Sequence, residues 1–180
     1  TENAIDSLDY ITFNLYHFDI ASGKKVLIDK NVTNYVVSSD FSIFLYAKEN
    51  DPRLYRKALT DAEPTAIAEE ARTFYMSDNA ETIVYCDSDG NAYFLKNGDT
   101  VPFLFGENVN IKHFERTTGE FVYTDGNELI IDMGDEKFFV SENCYNGDSP
   151  GFIGSPNTFY FFETQEELDI FSVFEDDLKE

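Results

Sequence analysis

The side chains in this sequence with the strongest claim to chemistry are two histidines, two cysteines, one serine flanked by glycines and a large excess of carboxylates. A zinc centre needs His and Cys at short, fixed spacings. His17 sits between Tyr16 and Phe18, and His113 beside Phe114, each in an expected strand; neither keeps a ligand spacing with the other or with a cysteine. Cys86 and Cys144 form no Cys-x-x-Cys pair and lie in the apolar runs Ile83-Val84-Tyr85-Cys86 and Asn143-Cys144-Tyr145. They are expected as buried or half-buried free thiols. A hydrolase needs a nucleophile with a base in reach. Gly151-Phe152-Ile153-Gly154-Ser155-Pro156 has glycines at the wrong spacing for a nucleophile elbow, and Pro156 would stop the helix that should follow. It reads as an irregular loop.

Carboxylates fare no better. Asp87-Ser88-Asp89-Gly90-Asn91 alternates oxygens as a hard cation prefers. Its glycine comes fourth rather than sixth, however, and the twelfth position is Gly98 rather than a glutamate. Asp125-Gly126-Asn127 stands at the equivalent place further along, so both segments are expected as turns. Adjacent pairs such as Glu69-Glu70, Glu166-Glu167 and Asp176-Asp177 point to opposite faces of a strand and cannot face one another across a glycosidic bond. No catalytic, cofactor-binding or metal-binding residue is assigned. The expectation is a protein that is not an enzyme and needs no cofactor.

The elements that carry these residues are legible from composition and periodicity. The chain of 180 residues is 42% hydrophobic and 16% aromatic, with 18 Phe, 11 Tyr and no Trp. That is enough apolar material for one domain over 1–180, and aromatics of this kind favour the pleated, half-buried surface of a sheet. Thirteen Lys and Arg against 35 Asp and Glu leave a net charge of −22. Nucleic acid and anionic lipid would lack their main attraction to such a surface. Cations, basic proteins and uncharged glycans or peptides remain open. No apolar run of 18 residues is present, so no membrane insertion is expected from this segment. The first residue is Thr1 rather than Met, which suggests a processed or trimmed fragment.

A repeat of about 38 residues organises the chain. Leu15-Tyr16, Leu54-Tyr55, Ala92-Tyr93, Leu129-Ile130 and Leu168-Asp169 form one series of landmarks. Leu45-Tyr46, Val84-Tyr85, Val122-Tyr123 and Tyr160-Phe161 form a second, and Val32, Ala71 and Val109 a third. Counted from the first series, the units run over about 15–53, 54–91, 92–128 and 129–167, with a partial unit at 168–180. Turn signals fall between the landmarks in three sets: Ser22-Gly23, Asp61-Ala62, Asn97-Gly98 and Gly134-Asp135; Asp51-Pro52, Asp89-Gly90-Asn91 and Asp125-Gly126-Asn127; Asp40-Phe41, Asp78-Asn79 and Thr118-Gly119. Four short antiparallel strands per unit describe a propeller blade. Blades are expected to start at Val32, Ala71, Val109 and near Cys144, with Leu15 to Ile28 forming the last two strands of an earlier blade. The fold class is therefore all-β and propeller-like, with about four to five four-stranded antiparallel blades in either a small ring or an incomplete one.

Val36-Val37-Ser38-Ser39-Asp40 and Phe74-Tyr75-Met76-Ser77-Asp78, each followed by a β-run ending in Tyr, resemble the Ser-x-Asp-Gly repeat of TolB-type propellers. Leu54-Tyr55-Arg56 and Ala92-Tyr93-Phe94-Leu95 are similar to that family's Leu-Tyr strand. Phe41 and Asn79 stand where the family prefers Gly, and the third and fourth units lack the Ser-Asp pair. The resemblance implies a rigid platform for a protein, peptide or glycan, in an exported or surface-anchored bacterial protein that is secreted, periplasmic or held at the cell surface. The alternative is an accessory or gating domain of a larger enzyme or sensor. The long connection from Asn146 to Asn157 is the candidate functional loop. At the C-terminal end, Thr164-Gln165-Glu166-Glu167 fits a capping box, and Leu168, Phe171, Phe174 and Leu178 fall on one helical face. The repeat phase at Leu168 predicts a strand instead, and the strand is the expectation taken.

Overall fold

A computed structural model describes residues 11–96, 98–99, 101–132, 137–142 and 144, together with the backbone of two short strands at 160–162 and 170–172. No helix occurs among the described residues. The chain divides into two compact units, Thr1–Ala71 and Arg72–Glu180, and each is described by itself.

The first unit holds one antiparallel sheet of five strands in sequence order: β1 (Phe13–Asp19), β2 (Lys24–Val37), β3 (Ile43–Lys48), β4 (Asp51–Ala58) and β5 (Thr65–Ala68). β2 is one continuous ladder of 14 residues where two separate strands were expected. Its packing nevertheless treats it as two. His17 pairs with Val26, and Phe44 pairs with Val37, eleven residues further along β2. A straight strand would hold those positions ~36 Å apart at about 3.3 Å per residue, yet the His17 and Phe44 rings lie 6.4 Å apart. β2 must therefore fold back on itself. The place is Asp29–Asn31, where the β1–β2 register shifts and Asn31 takes a left-handed φ of 56°. The hairpin of β1 with the first half of β2 thus lies across the face of β3 and β4. Leu15 and Ile28 join Val32, Phe44, Tyr46 and Tyr55 in one buried cluster. Lys57 reaches up from β4 and donates to the carbonyls of Ile28 and Ala62 at 3.2 and 3.3 Å. The supposed earlier blade is joined to the first sheet by hydrogen bonds, but it packs against that sheet as a neighbouring blade would.

The second unit contains two four-stranded antiparallel sheets and a two-stranded one. The first comprises β6 (Thr73–Met76), β7 (Thr82–Cys86), β8 (Ala92–Lys96) and β9 (Phe103–Gly106). The second comprises β10 (Val109–Phe114), β11 (Phe121–Asp125), β12 (Glu128–Asp132) and β13 (Lys137–Ser141). β14 (Tyr160–Phe162) pairs with β15 (Ile170–Ser172). A strand thus follows Leu168, which itself lies outside the described residues with the capping-box segment. The two larger sheets stack. Phe94 and Phe105 from one meet Phe121 and Tyr123 from the other, with ring centroids 5.1–6.2 Å apart. Val84, Cys86, Ala92 and Val109 complete that cluster. On the other face of β11, Val122 packs with Leu129 and Cys144. Gly106 is required where the chain passes between the sheets, because a Cβ there would stand 2.3 Å from a methyl of Val109.

The landmarks explain themselves in this arrangement. Leu54, Ala92 and Leu129 are fully buried in β4, β8 and β12, and Leu45-Tyr46, Val84-Tyr85 and Val122-Tyr123 are buried side by side in β3, β7 and β11. Consecutive buried residues on a strand mean that both faces are covered.

The tight turns are locked by side chains. Ser38 Oγ donates to Asp40 at 2.6 Å and accepts the Ile43 amide at 3.0 Å, while Asp40 also accepts the Ser42 amide. Ser77, Asn79, Glu81 and Thr82 repeat the pattern. The equivalent of Asp40 is thus Asn79 rather than Asp78, and the equivalent of Phe41 is Ala80, both with left-handed φ. Asp51-Pro52 is not a turn. Asn50 makes the turn at φ 58°, and Asp51 opens β4, where it accepts from the Arg53 guanidinium and from Tyr55 Oη at 2.7 Å.

Ser38→Ala and Ser77→Ala are each expected to lower stability by ~1–3 kcal/mol, since each strips a part-buried amide of its acceptor. Exposed Ser39→Ala should stay within ~0.5 kcal/mol in the same urea titration. Hydrogen bonds from the Ser38 hydroxyl and then the Ser42 amide hold the Asp40 carboxyl at about 2, below its ordinary 3.8. The unfolded chain therefore takes up this proton first, so the contribution is complete above about pH 4 and is lost as pH falls towards 2. Asp40→Asn should flatten that part of the stability–pH curve.

Candidate functional site

The positions with chemical potential are absorbed by the fold. His17 packs edge-on against Phe44, and His113 stands 4.0 Å from Glu115. Cys86 and Cys144 are buried free thiols, and burial pushes the Cys86 thiol up, away from the reactive thiolate. One Asp87 oxygen accepts the amides of Asp89 and Asn91, and the other accepts Asn91 Nδ2 and Tyr93 Oη. Burial raises its pKa, but these bonds outweigh that and lower it. With both oxygens committed to the turn, the segment from Asp87 to Asn91 is built as a turn in the chain's own register. Among the described residues, no group of three or more His, Cys, Asp or Glu is placed to hold a metal ion. The loop from Asn146 to Asn157, the glycine-flanked Ser155 and the pairs Glu166-Glu167 and Asp176-Asp177 lie outside the described residues.

What the fold does gather is an apolar turn end in the first unit. Phe13 meets Tyr35 at 5.7 Å between centroids, and His17 meets Phe44, the partner of Val37. From residue 13 to 17, β1 therefore runs in the same sense as β2 from 35 to 37. The β1–β2 turn at 20–23 and the β2–β3 turn at 38–42 consequently open at the same end. The β4–β5 turn joins them, since the Leu59 amide donates to the Ser42 carbonyl at 2.8 Å. Asp19 Oδ1 builds the first turn by accepting the Ala21 and Ser22 amides, which leaves Ile20 at the tip, 89% exposed. Phe18 is 57% exposed beside it. Lys25, in register with Phe18, lays its ammonium 3.8 Å from the centre of the Tyr16 ring.

Phe41 completes the end. It is 58% exposed and holds a φ of 59°. That conformation costs an L-residue roughly 1–2 kcal/mol, and for a bulky side chain in solvent no burial offsets it. Asn, Gly or Asp would sit there at little cost. A strained, exposed aromatic is an outlier of the kind that marks functional positions. The sequence signal was present in the observation that Phe41 occupies a position the resembled family gives to Gly. Its meaning emerges only with the backbone angle.

Antiparallel meander sheets of four to five strands, two of them stacked face to face, define an all-β, propeller-like protein. No family model and no curated protein matches the chain. Among solved structures it is similar to "Dihydro-heme d1 dehydrogenase NirN in complex with DHE", with a TM-score of 0.55 at 13% identity, covering 83% of this chain and 38% of that one. It is also similar to PorZ, described as a bacterial surface component of the type-IX secretion system of Porphyromonas gingivalis, with a TM-score of 0.48 at 17% identity, covering 83% and 21%. The chain thus spans well under half the length of either. At such identities the first likeness shows the fold. No helix of the described residues is long and apolar enough to cross a membrane.

Phe41→Gly is expected to raise unfolding stability by ~1 kcal/mol by relieving the left-handed strain. Phe41→Ala keeps the strain and should not. Paired urea titrations of the two variants would separate backbone cost from ring contact.

Proposed function

We propose that this chain is a non-catalytic binding or scaffold domain of the TolB-type propeller kind, engaging a protein, peptide or glycan at the turn end of its first unit. The observation that carries the reading is Phe41, kept strained and exposed at the same end as Phe18 and Ile20. A side chain retained against the stability of its own fold is explained by contact with something outside it. Lys24 and Lys25 flank the apolar group in sequence, giving the end a polar rim. Resemblance to TolB-type propellers supports an extracytoplasmic setting, whether secreted, periplasmic or surface-anchored, and the net charge of −22 argues against nucleic acid as the partner.

Peptide and glycan arrays probed with the full chain test this reading. Ligands retained by the wild type should lose about tenfold or more in affinity with Phe41→Ala or Ile20→Ser, as truncated contact anchors do. A parallel screen of glycoside and ester substrates should show no turnover. Unchanged array profiles in both variants, or any turnover, would overturn the proposal.

A further inference from the structure

Each larger sheet ends in a strand that, among the described residues, is paired on one side: β5, β9 and β13. Such an edge offers unpaired amides and carbonyls to any passing strand, and proteins blunt edges with charge, proline or brevity. β5 is preceded by Glu63-Pro64 and carries no large exposed hydrophobe. β13 also leaves Phe138 and Phe139 about half exposed, but it opens on Lys137, whose ammonium lies 3.4 Å from Asp132 and 5.6 Å from the ring centres of Phe105 and Tyr123.

β9 is four residues long, like β5, and has Pro102 ahead of it, but no charge blunts its edge. From Val101 to Gly106 there is no charge. Val101 is 75% exposed, Phe103 66% and Leu104 43%. Neighbouring residues on a strand point to opposite faces, so Phe103 and Leu104 leave apolar surface open on both sides of the edge. Asp99 and Glu107 bracket this stretch. The charge of the chain is also uneven. Residues 72–180 hold 23 Asp and Glu against 6 Lys and Arg, a net of −17, while residues 1–71 hold 12 against 7, a net of −5. The uncharged edge sits in the strongly acidic part.

We propose that β9 accepts, by strand addition, an extended segment of a basic partner protein: about six residues of alternating apolar character with Lys or Arg at both ends. Backbone pairing along the edge supplies affinity, Phe103 and Leu104 take apolar side chains on either face, and the bracketing carboxylates select for positive ends. A second copy of this chain is a poor occupant, because two bodies of net charge −22 repel. This surface is distinct from the turn end of the first unit and stands or falls separately.

The probe is a synthetic peptide, Lys-Lys-Val-Thr-Val-Thr-Val-Thr-Lys-Lys, with a counterpart carrying Glu at the four Lys positions, each titrated into the full chain. Hydrogen exchange should slow by about tenfold or more in segment 101–106 with the Lys-flanked peptide and not with the Glu-flanked one. Raising NaCl from about 50 to about 500 mM should weaken binding by about tenfold, as screened charges require. Phe103→Lys should abolish the protection with an unchanged far-UV spectrum, and Glu107→Lys should reduce it several-fold while leaving the apolar edge intact. Protection at 137–141 or at 18–41 instead, equal protection by both peptides, no protection, or self-association of the chain that Phe103→Lys relieves would each overturn the assignment.

Discussion

A sheet of four short strands cannot bury both of its faces, and every other feature of this chain follows from that limit. Strands β3, β7 and β11 show it most directly. Phe44, Leu45 and Tyr46 are buried in succession, as are Ile83, Val84, Tyr85 and Cys86, and Phe121, Val122 and Tyr123. A half-solvated sheet would alternate. In the second unit one face of β11 is covered by Phe94 and Phe105 of the neighbouring sheet, and on the other Val122 packs with Leu129 of its own sheet and with Cys144. In the first unit the cover comes from the chain's own β1–β2 hairpin, folded back at Asn31. Each methylene so buried contributes about 0.8 kcal/mol, so the fold-back replaces a large solvent-facing apolar area with packed surface.

Stacking demands narrow, regular sheets, and these in turn demand short turns that hold their shape without burial. Carboxylates and hydroxyls supply them. Asp19, Asp40, Asp51, Asp87 and Glu115 each accept hydrogen bonds from amides one to four residues away. Their pKa values are lowered, by side-chain hydrogen bonds from Ser22 at Asp19, Ser38 at Asp40, Arg53 at Asp51 and Asn91 at Asp87, and by these amides, which lead only at Glu115. Part of the chain's acidity is therefore turn chemistry rather than solubilising charge, although these five are a minority of the 35 acidic residues.

Much of this architecture was legible in the sequence because burial on both faces leaves a compositional trace. The Leu-Tyr landmarks mark buried positions in β4, β8 and β12 and the Val-Tyr landmarks those in β3, β7 and β11, and the start expected at Val109 coincides with β10. The misreadings have a common cause. Asp51-Pro52 was read as a turn from type alone, whereas the left-handed Asn50 makes that turn; Asp78-Asn79 does form the turn expected of it, with Asn79 rather than Asp78 bonded to the Ser77 hydroxyl. Backbone sign and side-chain reach are not encoded in residue type at one position. The fold-back of β2 falls between the end expected for the earlier blade at Ile28 and the start expected at Val32, and the inward–outward alternation breaks there at exposed Lys30 and Asn31. The turn end escaped notice because Phe41, though it stands where the resembled family prefers Gly, shows its cost only with its φ of 59°.

The three turns that follow the first strand of each blade show how a rigid core leaves room for function. In each, one residue must take a left-handed conformation: Phe41, Ala80 and Gly119. Gly119 has its Cα packed so closely that a Cβ would stand 2.7 Å from Thr82 Oγ1, and Ala80 is buried with no side chain beyond Cβ. Turn geometry and neighbouring packing thus force small residues at two of the three positions. At the third the same backbone points a side chain into solvent, so nothing in the core limits its size. The lock formed by Ser38, Asp40 and Ser42 holds that backbone whatever side chain it carries. A large ring there is a departure that the fold tolerates but does not require, and its cause must lie outside the turn.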